Sequence, residues 1–377
     1  MKEGQFLSVA SAPARAPASA LAQRIDREIA QGGGWLGFER FMELALYAPG
    51  LGYYARGDRQ FGAWPGSGSD FITAPEMSPL FGRAVARQLA QALDLTGTRE
   101  LWEFGAGSGA LAAQLLDALG SRIDRYCIVE LSAALSARQR ATLTERVPRH
   151  VDKALWLDRL PTAIEGVVIG NEVLDAMPVA LLHFDGQDWF ERGVAQRGTH
   201  YVFADRPTAL RPPIAAAFAP DTTTELQRHG EAFIRTLATT LVRGAAFFID
   251  YGFPVHEYHH PQRHGGTVMC HRAHRADTDP LTDVGEKDIT AHVDFSGIAL
   301  AGQDCGLVVL GYTTQARFLM NCGLLNDLRG ADVREIAAAQ KLLGEHEMGE
   351  LFKVIGFAAA ESFDALGFAH GDRSHTL

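Results

Sequence analysis

The stretch LWEFGAGSGAL, residues 101–111, decides the fold. An apolar run ends on Glu103 and Phe104, and Gly105, Gly107 and Gly109 then alternate with small residues. Glycines directly behind a buried strand let the backbone turn sharply and let a ligand lie against it. The following GALAAQLLDALG reads as a helix. The unit is therefore strand, bare turn, helix.

Working outward, short apolar runs recur at ELWEF (100–104), YCIVE (126–130), GVVIG (166–170) and AAFFID (245–250), with GLVVLGY (306–312) and LFKVIGF (351–357) later. Continuous apolar strands alternating with helices predict an α/β fold, a parallel sheet covered on both faces. Upstream, residues 19–47 read as helices broken at Gly32-Gly33-Gly34. SPLFGRAVARQLAQAL reads as a helix with Ser78 as N-cap and Pro79 in its first position. Residues 181–205 read as antiparallel strands around Asp185-Gly186 and Arg197-Gly198. Residues 253–305 read as one long polar loop, and a loop of that length is usually functional. The expected division is a flexible tail (1–20), a helical cap region (21–97), a core (98–180 and 241–377) with an insertion (181–240), and a lid loop (253–305) inside the core.

Bulk composition narrows the class. The chain has 377 residues, 47% of them hydrophobic, enough for a large core. A formal charge of −10 argues against nucleic-acid binding, which wants a basic surface. No apolar run is long enough to span a membrane. Cys127, Cys270, Cys305 and Cys322 are scattered, with no C-x-x-C pair, which predicts reduced thiols in a cytoplasmic protein; the Ala/Pro/Ser-rich start lacks a signal peptide's apolar stretch and reads as a loose tail, with a cleaved organellar presequence as the alternative.

Two ligands compete for the glycine turn. A dinucleotide would use G-x-G-x-x-G/A, which Gly105, Gly107 and Ala110 satisfy formally. S-adenosylmethionine would use E-x-G-x-G-x-G, with Glu130 on the next strand taking the ribose. Glu103 discriminates, because a carboxylate repels a pyrophosphate and attracts an ammonium and a sulfonium. In GVVIGNEVLDAMPVALL, Asn171 and Glu172 end a buried strand and Asp175 follows. Two acids there suit a cationic acceptor such as a guanidinium, which carboxylates clamp bidentately. Asn171 as a turn residue and Asp175 as a cap are the plainer readings.

LWEFGAGSGALA, GNEVLDAMPV, GDRQFGAWPGSGSDFITAPEMSPLFG and IDYGFPVHEYHHPQRHGGTVMCHRAH with DITAHVDFSGIA together resemble the MidA family of S-adenosylmethionine-dependent methyltransferases. Its mitochondrial members are complex I assembly factors that dimethylate an arginine symmetrically. The resemblance spans most of residues 35–360. It implies a class I methyltransferase sheet of seven strands with the last antiparallel, and an N-terminal helical part. It also implies a cofactor pocket of Glu103, Gly105, Ala106, Gly107, Gly109, Glu130, Asn171, Thr73, Pro75 and Glu76, with Asp70 near the substrate. Where the family usually has Gly-Asp, this chain has Ser69-Asp70.

Seven histidines fall between 256 and 292, without finger-like spacing or H-E-x-x-H, so a lid is expected there rather than a metal site. His292 is a candidate base, and Arg263 and Asp294 are candidate substrate ligands. The resulting expectation is S-adenosylmethionine-dependent methylation of an arginine in a protein, with Glu172, Asp175 and His292 in catalysis. A small-molecule acceptor and an assembly protein with a residual cofactor site are the rivals. LLHF and WFERG are candidate segments for a homodimer contact.

Overall fold

The apolar runs become the strands of one sheet in the computed structural model, which describes residues 19–56, 73–272 and 275–377. The main strands are β1 (Glu100–Phe104), β2 (Arg125–Val129), β3 (Ala154–Leu157), β4 (Ile164–Asn171), β5 (Leu241–Phe253), β6 (Leu307–Thr314) and β7 (Phe352–Ala359). Their order is β6-β7-β5-β4-β1-β2-β3. Pairs β1–β2, β1–β4, β2–β3 and β4–β5 are parallel, and β7 is antiparallel to both β5 and β6. A two-residue strand, Val293–Asp294, adds to the end of β5.

Both faces of the sheet are covered, which is why its strands carry unbroken apolar runs. Val167, Val168 and Ile169 are all fully buried, with alternate residues entering different cores. On one face lie the helices Pro79–Thr96 and Ala110–Leu119; on the other, Arg228–Thr240 and Phe295–Gln303. The first of these begins as its sequence dictates: Ser78 Oγ accepts from Leu80 N at 3.2 Å and Pro79 opens the helix.

Register sets the site. Phe104 pairs with Gly170, and Ile249 with Asn171. Gly105, Glu172 and Asp250 therefore leave the carboxyl ends of β1, β4 and β5 side by side. The strand order reverses between β1 and β4, where open parallel sheets bind their ligands.

A second sheet joins Leu36–Gly37, Trp189–Arg197, Ala180–Phe184, Thr222–Leu226 and His200–Pro207. The helices Ala20–Gln31 and Phe38–Tyr47 share its core through Leu21, Ile25, Phe41, Leu181 and Val194. The N-terminal helices and the inserted strands, read separately along the chain, pack as one unit. Residues 253–305 also differ from the expected loop. They contain a three-stranded sheet (Arg275–Asp277, Met269–Arg272, Asp288–Thr290) and the helix Phe295–Gln303. Cys270 and Ile289 anchor that sheet in the N-terminal core. Among the described residues no helix is long and apolar enough to cross a membrane.

Candidate active site

Gly105, Gly107 and Gly109 have φ of 63°, 52° and 83°, the left-handed region that costs side-chain-bearing residues energy. A Cβ on Gly105 would stand 2.9 Å from Val173 Cγ2, so the glycine loop and the turn after β4 press on each other. Ala106 between them is buried. The short helix Ala74–Met77 is bolted to this loop. Ser108 Oγ donates to Glu76, and Gln114 Nε2 donates to Pro75 O at 2.7 Å. Thr73, Pro75 and Glu76 thus stand beside the loop, while Asp70 lies outside the described residues.

Glu130 follows β2. Its Oε1 accepts from Ser132 N at 2.8 Å and its Oε2 from Gln139 Nε2 at 3.0 Å. Gln139 was not singled out in the sequence, yet it ties the site together. Its other amide hydrogen reaches Gly107 O at 3.1 Å, and its Oε1 accepts from Trp156 Nε1 at 2.9 Å. One fully buried amide thereby fixes Glu130 relative to the glycine loop. No periodicity marks such a residue; only the contacts do.

Glu103 sits differently from its expected place. It is 2% exposed, its Oε2 accepts from the Tyr126 hydroxyl at 2.7 Å, and burial pushes its carboxyl up to about 7. In the ligand-free protein its carboxyl is thus enclosed in the core and held by Tyr126.

Glu172 leaves β4 with φ 56°, a left-handed conformation rare for a residue with a side chain, and donates its N–H to Ile249 O at 2.9 Å. Its carboxyl accepts from Asn171 Nδ2 at 2.8 Å and from the Ala74 N–H. Asp250 Oδ2 collects the N–H groups of Val173, Leu174 and Asp175 at 3.0, 2.8 and 3.3 Å, shaping the turn that presents Asp175. Asp288 accepts from Tyr54 OH at 2.8 Å, and Tyr47, stacked on Tyr54, donates to Ala176 O at 2.9 Å. Burial and the mutual repulsion of these acids raise Glu172 to about 8 and push Asp175 well above the carboxylate range. Burial likewise lifts Asp250 to about 7. Asn171 Oδ1 and Asp175 Oδ1 are buried without a donor among the described residues. Asp250, Asp288, Tyr47 and Tyr54 were not recognised in the sequence; the acid closing AAFFID was the available signal for Asp250.

The sequence pattern of the Methyltransf_28 family, S-adenosyl-L-methionine-dependent methyltransferases, matches residues 84–313, which hold the glycine loop and the acid pocket. The chain belongs to this MidA-like methyltransferase family. A COG1565 superfamily member from Burkholderia thailandensis, crystallised with S-adenosyl-homocysteine, is 50% identical, with a TM-score of 0.93 over 97% of this chain and 100% of its own. Two curated relatives are each named a mitochondrial protein arginine methyltransferase NDUFAF7 or its homolog. The Homo sapiens protein is 28% identical over 93% of this chain and 86% of its own. The Caenorhabditis elegans protein is 27% identical over 77% and 73%. The expectation of a cytoplasmic protein is overturned by these relatives, which are named mitochondrial. The dinucleotide reading gives way as well: the cofactor of this methyltransferase is S-adenosylmethionine.

The residues present fit that cofactor. Three left-handed glycines leave backbone bare for close approach. Glu130 is an acid with free lone pairs for hydroxyl donors, and buried acids favour a sulfonium and an ammonium.

Two further candidates, Asp294 and His292, occupy unexpected roles in this MidA-like chain. Asp294 caps the helix Phe295–Gln303, its Oδ1 accepting from Ser296 N and Gly297 N at 3.1 and 3.3 Å. A capping carboxyl that is 7% exposed is a structural group, not a substrate ligand. His292 stacks on Tyr251 with ring centroids 6.1 Å apart, and burial, then Arg263 and Lys353, push it down to about 4. Burial and the two cations favour its neutral form. Arg263 stacks over Phe253 at 4.3 Å. The other histidines of this region are dispersed; His259 Nδ1, for example, meets Thr224 Oγ1 at 3.1 Å. His274 lies outside the described residues, among which no group of three His, Cys, Asp or Glu is placed to hold a metal.

Proposed function

We propose that this methyltransferase modifies an arginine side chain of a protein, held by Glu172 and Asp175. The observation that carries the reading is the surplus of buried acceptors at the carboxyl ends of β4 and β5. Glu172, Asp175, Asp250 and Asp288 lie together, and Asn171 Oδ1 and Asp175 Oδ1 lack donors among the described residues. Buried carboxyls are costly unless matched by donors or positive charge. A guanidinium supplies five N–H donors in a plane and one positive charge, so it meets both needs. The names of the human and worm relatives support the same acceptor.

Bound S-adenosylmethionine supplies an electrophilic methyl group. Everything else falls to the chain. The glycine loop and Glu130 seat the cofactor beside the acids, and Asp250 fixes the backbone of 173–175 so that Asp175 points one way. Glu172 and Asp175 turn one guanidinium nitrogen toward the methyl. Positioning of this kind supplies much of the rate in a two-substrate displacement. As the new C–N bond forms and the C–S bond breaks, the nitrogen sheds a proton. Glu172, ionised once the guanidinium charge faces it, is the base placed to accept it.

The test is methyl-labelled cofactor with purified protein in cell extract, followed by mass spectrometry of the labelled species. Methylarginine in a protein band supports the reading. Label confined to small molecules overturns it.

A further inference from the structure

Beyond the acid pocket lies a cluster of opposite charge. Lys353 is 3% exposed, and its Nζ stands 5.5 Å from the centre of the Phe253 ring while donating to the Glu350 carbonyl. The Arg263 guanidinium stands 4.3 Å from the same ring, and its Nε is buried without a partner among the described residues. His292 meets Phe253 edge-on, with centroids 5.3 Å apart, and its Nδ1 is likewise buried with no partner among the described residues. Arg263 opens onto a cleft of about 360 Å³ that Glu257, His260 and Gln262 complete. Glu257 is the one acid among the described residues lining that cleft, and Arg263 forms no ion pair with it or with any other described residue.

Two cations and a neutral imidazole around one ring, with two buried nitrogens idle, form the counterpart of the acid pocket, where carbonyl and carboxyl oxygens are idle. The two are joined by β5 itself. Asp250 shapes the acid turn, Tyr251 stacks on His292, and Phe253 carries the cations. Three residues of strand separate Asp250 from Phe253, about 10 Å. Tyr251, within the field of Glu172 and Asp175 and stacked on His292, lies between the two clusters, so an acceptor arginine in the acid pocket has its chain neighbours on the side of the cations.

We propose that Arg263, which lines the cleft and is backed by the buried Lys353 and His292 around Phe253, forms a carboxylate-binding subsite that selects acceptors with an Asp or Glu side chain close to the methylated residue. The proposal rests on the arginine reading for its occupant, but the site itself stands on its own geometry. Guanidinium forks bind carboxylates bidentately, and such charge-assisted bonds are among the stronger ones. Phe253 shields the cations from water on one side, which lengthens the reach of their field. The subsite would read local sequence, whereas the acid pocket reads the side chain to be modified.

Two measurements test it. The first offers wild-type enzyme and labelled cofactor a peptide library with arginine at a fixed position and the flanking residues varied. Acid-flanked peptides are expected to exceed lysine-flanked ones about tenfold or more in kcat/KM. Arg263→Ala is expected to raise acceptor KM about tenfold and erase that preference, Arg263→Lys to restore part of it, and neither to change S-adenosylhomocysteine affinity. The second titrates succinate into ¹⁵N-histidine-labelled protein. A saturable shift of the His292 ring signals, absent in Arg263→Ala, is expected. Arginine peptides methylated without regard to flanking acids overturn the subsite and leave the arginine reading standing. A saturable His292 shift with no arginine peptide methylated supports the subsite and removes the arginine reading. No shift with succinate overturns the subsite.

Discussion

The Tyr126 hydroxyl donates to Glu103 Oε2 at 2.7 Å, on neighbouring parallel strands directly beneath the glycine loop. Both groups are buried, so each satisfies what would otherwise be an orphan in the core. Tyr126→Phe removes the donor and leaves the carboxyl. The expected cost is about 1–3 kcal/mol, read as a lower urea midpoint with unchanged slope. A midpoint equal to wild type would show that the bond adds nothing.

Gln139 is the corresponding link for Glu130. It holds that carboxylate and the Gly107 carbonyl with the two hydrogens of one amide. Gln139→Leu keeps the bulk and deletes the link, freeing Glu130 to move relative to the glycine loop. S-adenosylhomocysteine affinity, measured by calorimetry, should fall about tenfold, in line with roughly 1–2 kcal/mol for lost bonds to a charged group. Unchanged affinity would remove Gln139 from its positioning role.

How much of this was legible in the chain depended on length and chemistry. The runs at 100–104, 166–170 and 245–250 are buried on both faces, so apolar continuity marks them and the turns after them. The strands at 269–272, 275–277 and 288–290 are three or four residues long and partly polar, too short for any periodicity to show. Asp294 was visible as an acid but not as a cap, because the helix it caps hid inside a polar stretch read as loop. Asp250 and Gln139 act by hydrogen bonds between residues 75 and 32 positions apart, which no local pattern encodes.

Glu172→Gln tests the acid pocket with little change of shape. The amide keeps an acceptor for the Ala74 N–H and loses the charge that a guanidinium needs. S-adenosylhomocysteine affinity should stay within a factor of two. Methyl transfer should drop a hundredfold or more, the scale of losing a positioned base together with a charged ligand. Full turnover on the true acceptor would take Glu172 out of the reaction.

The same acids predict how stability depends on pH. Burial lifts Glu103 and Glu172 from 4.5 to about 7 and 8, and Asp250 from 3.8 to about 7. A carboxyl with a folded pKa above its unfolded one favours folding while protonated. That contribution is complete below the unfolded value and disappears as pH rises through the folded one. Buried histidines work in the opposite sense: His259 and His292, lowered from 6.5 to about 4, add stability as pH rises from 4 to 6.5 and nothing further above that. Between pH 6.5 and 8 the acids act alone. The ligand-free enzyme should therefore lose stability across that interval, seen as a falling urea midpoint, and Glu172→Gln should flatten the upper part of the fall. Acceptor binding should move the other way, because the guanidinium needs the ionised pocket: KM for the acceptor should decrease from pH 6.5 to 8. A urea midpoint that climbs over this interval would mean the pocket is already ionised when empty, and the cation would then be needed only for orientation.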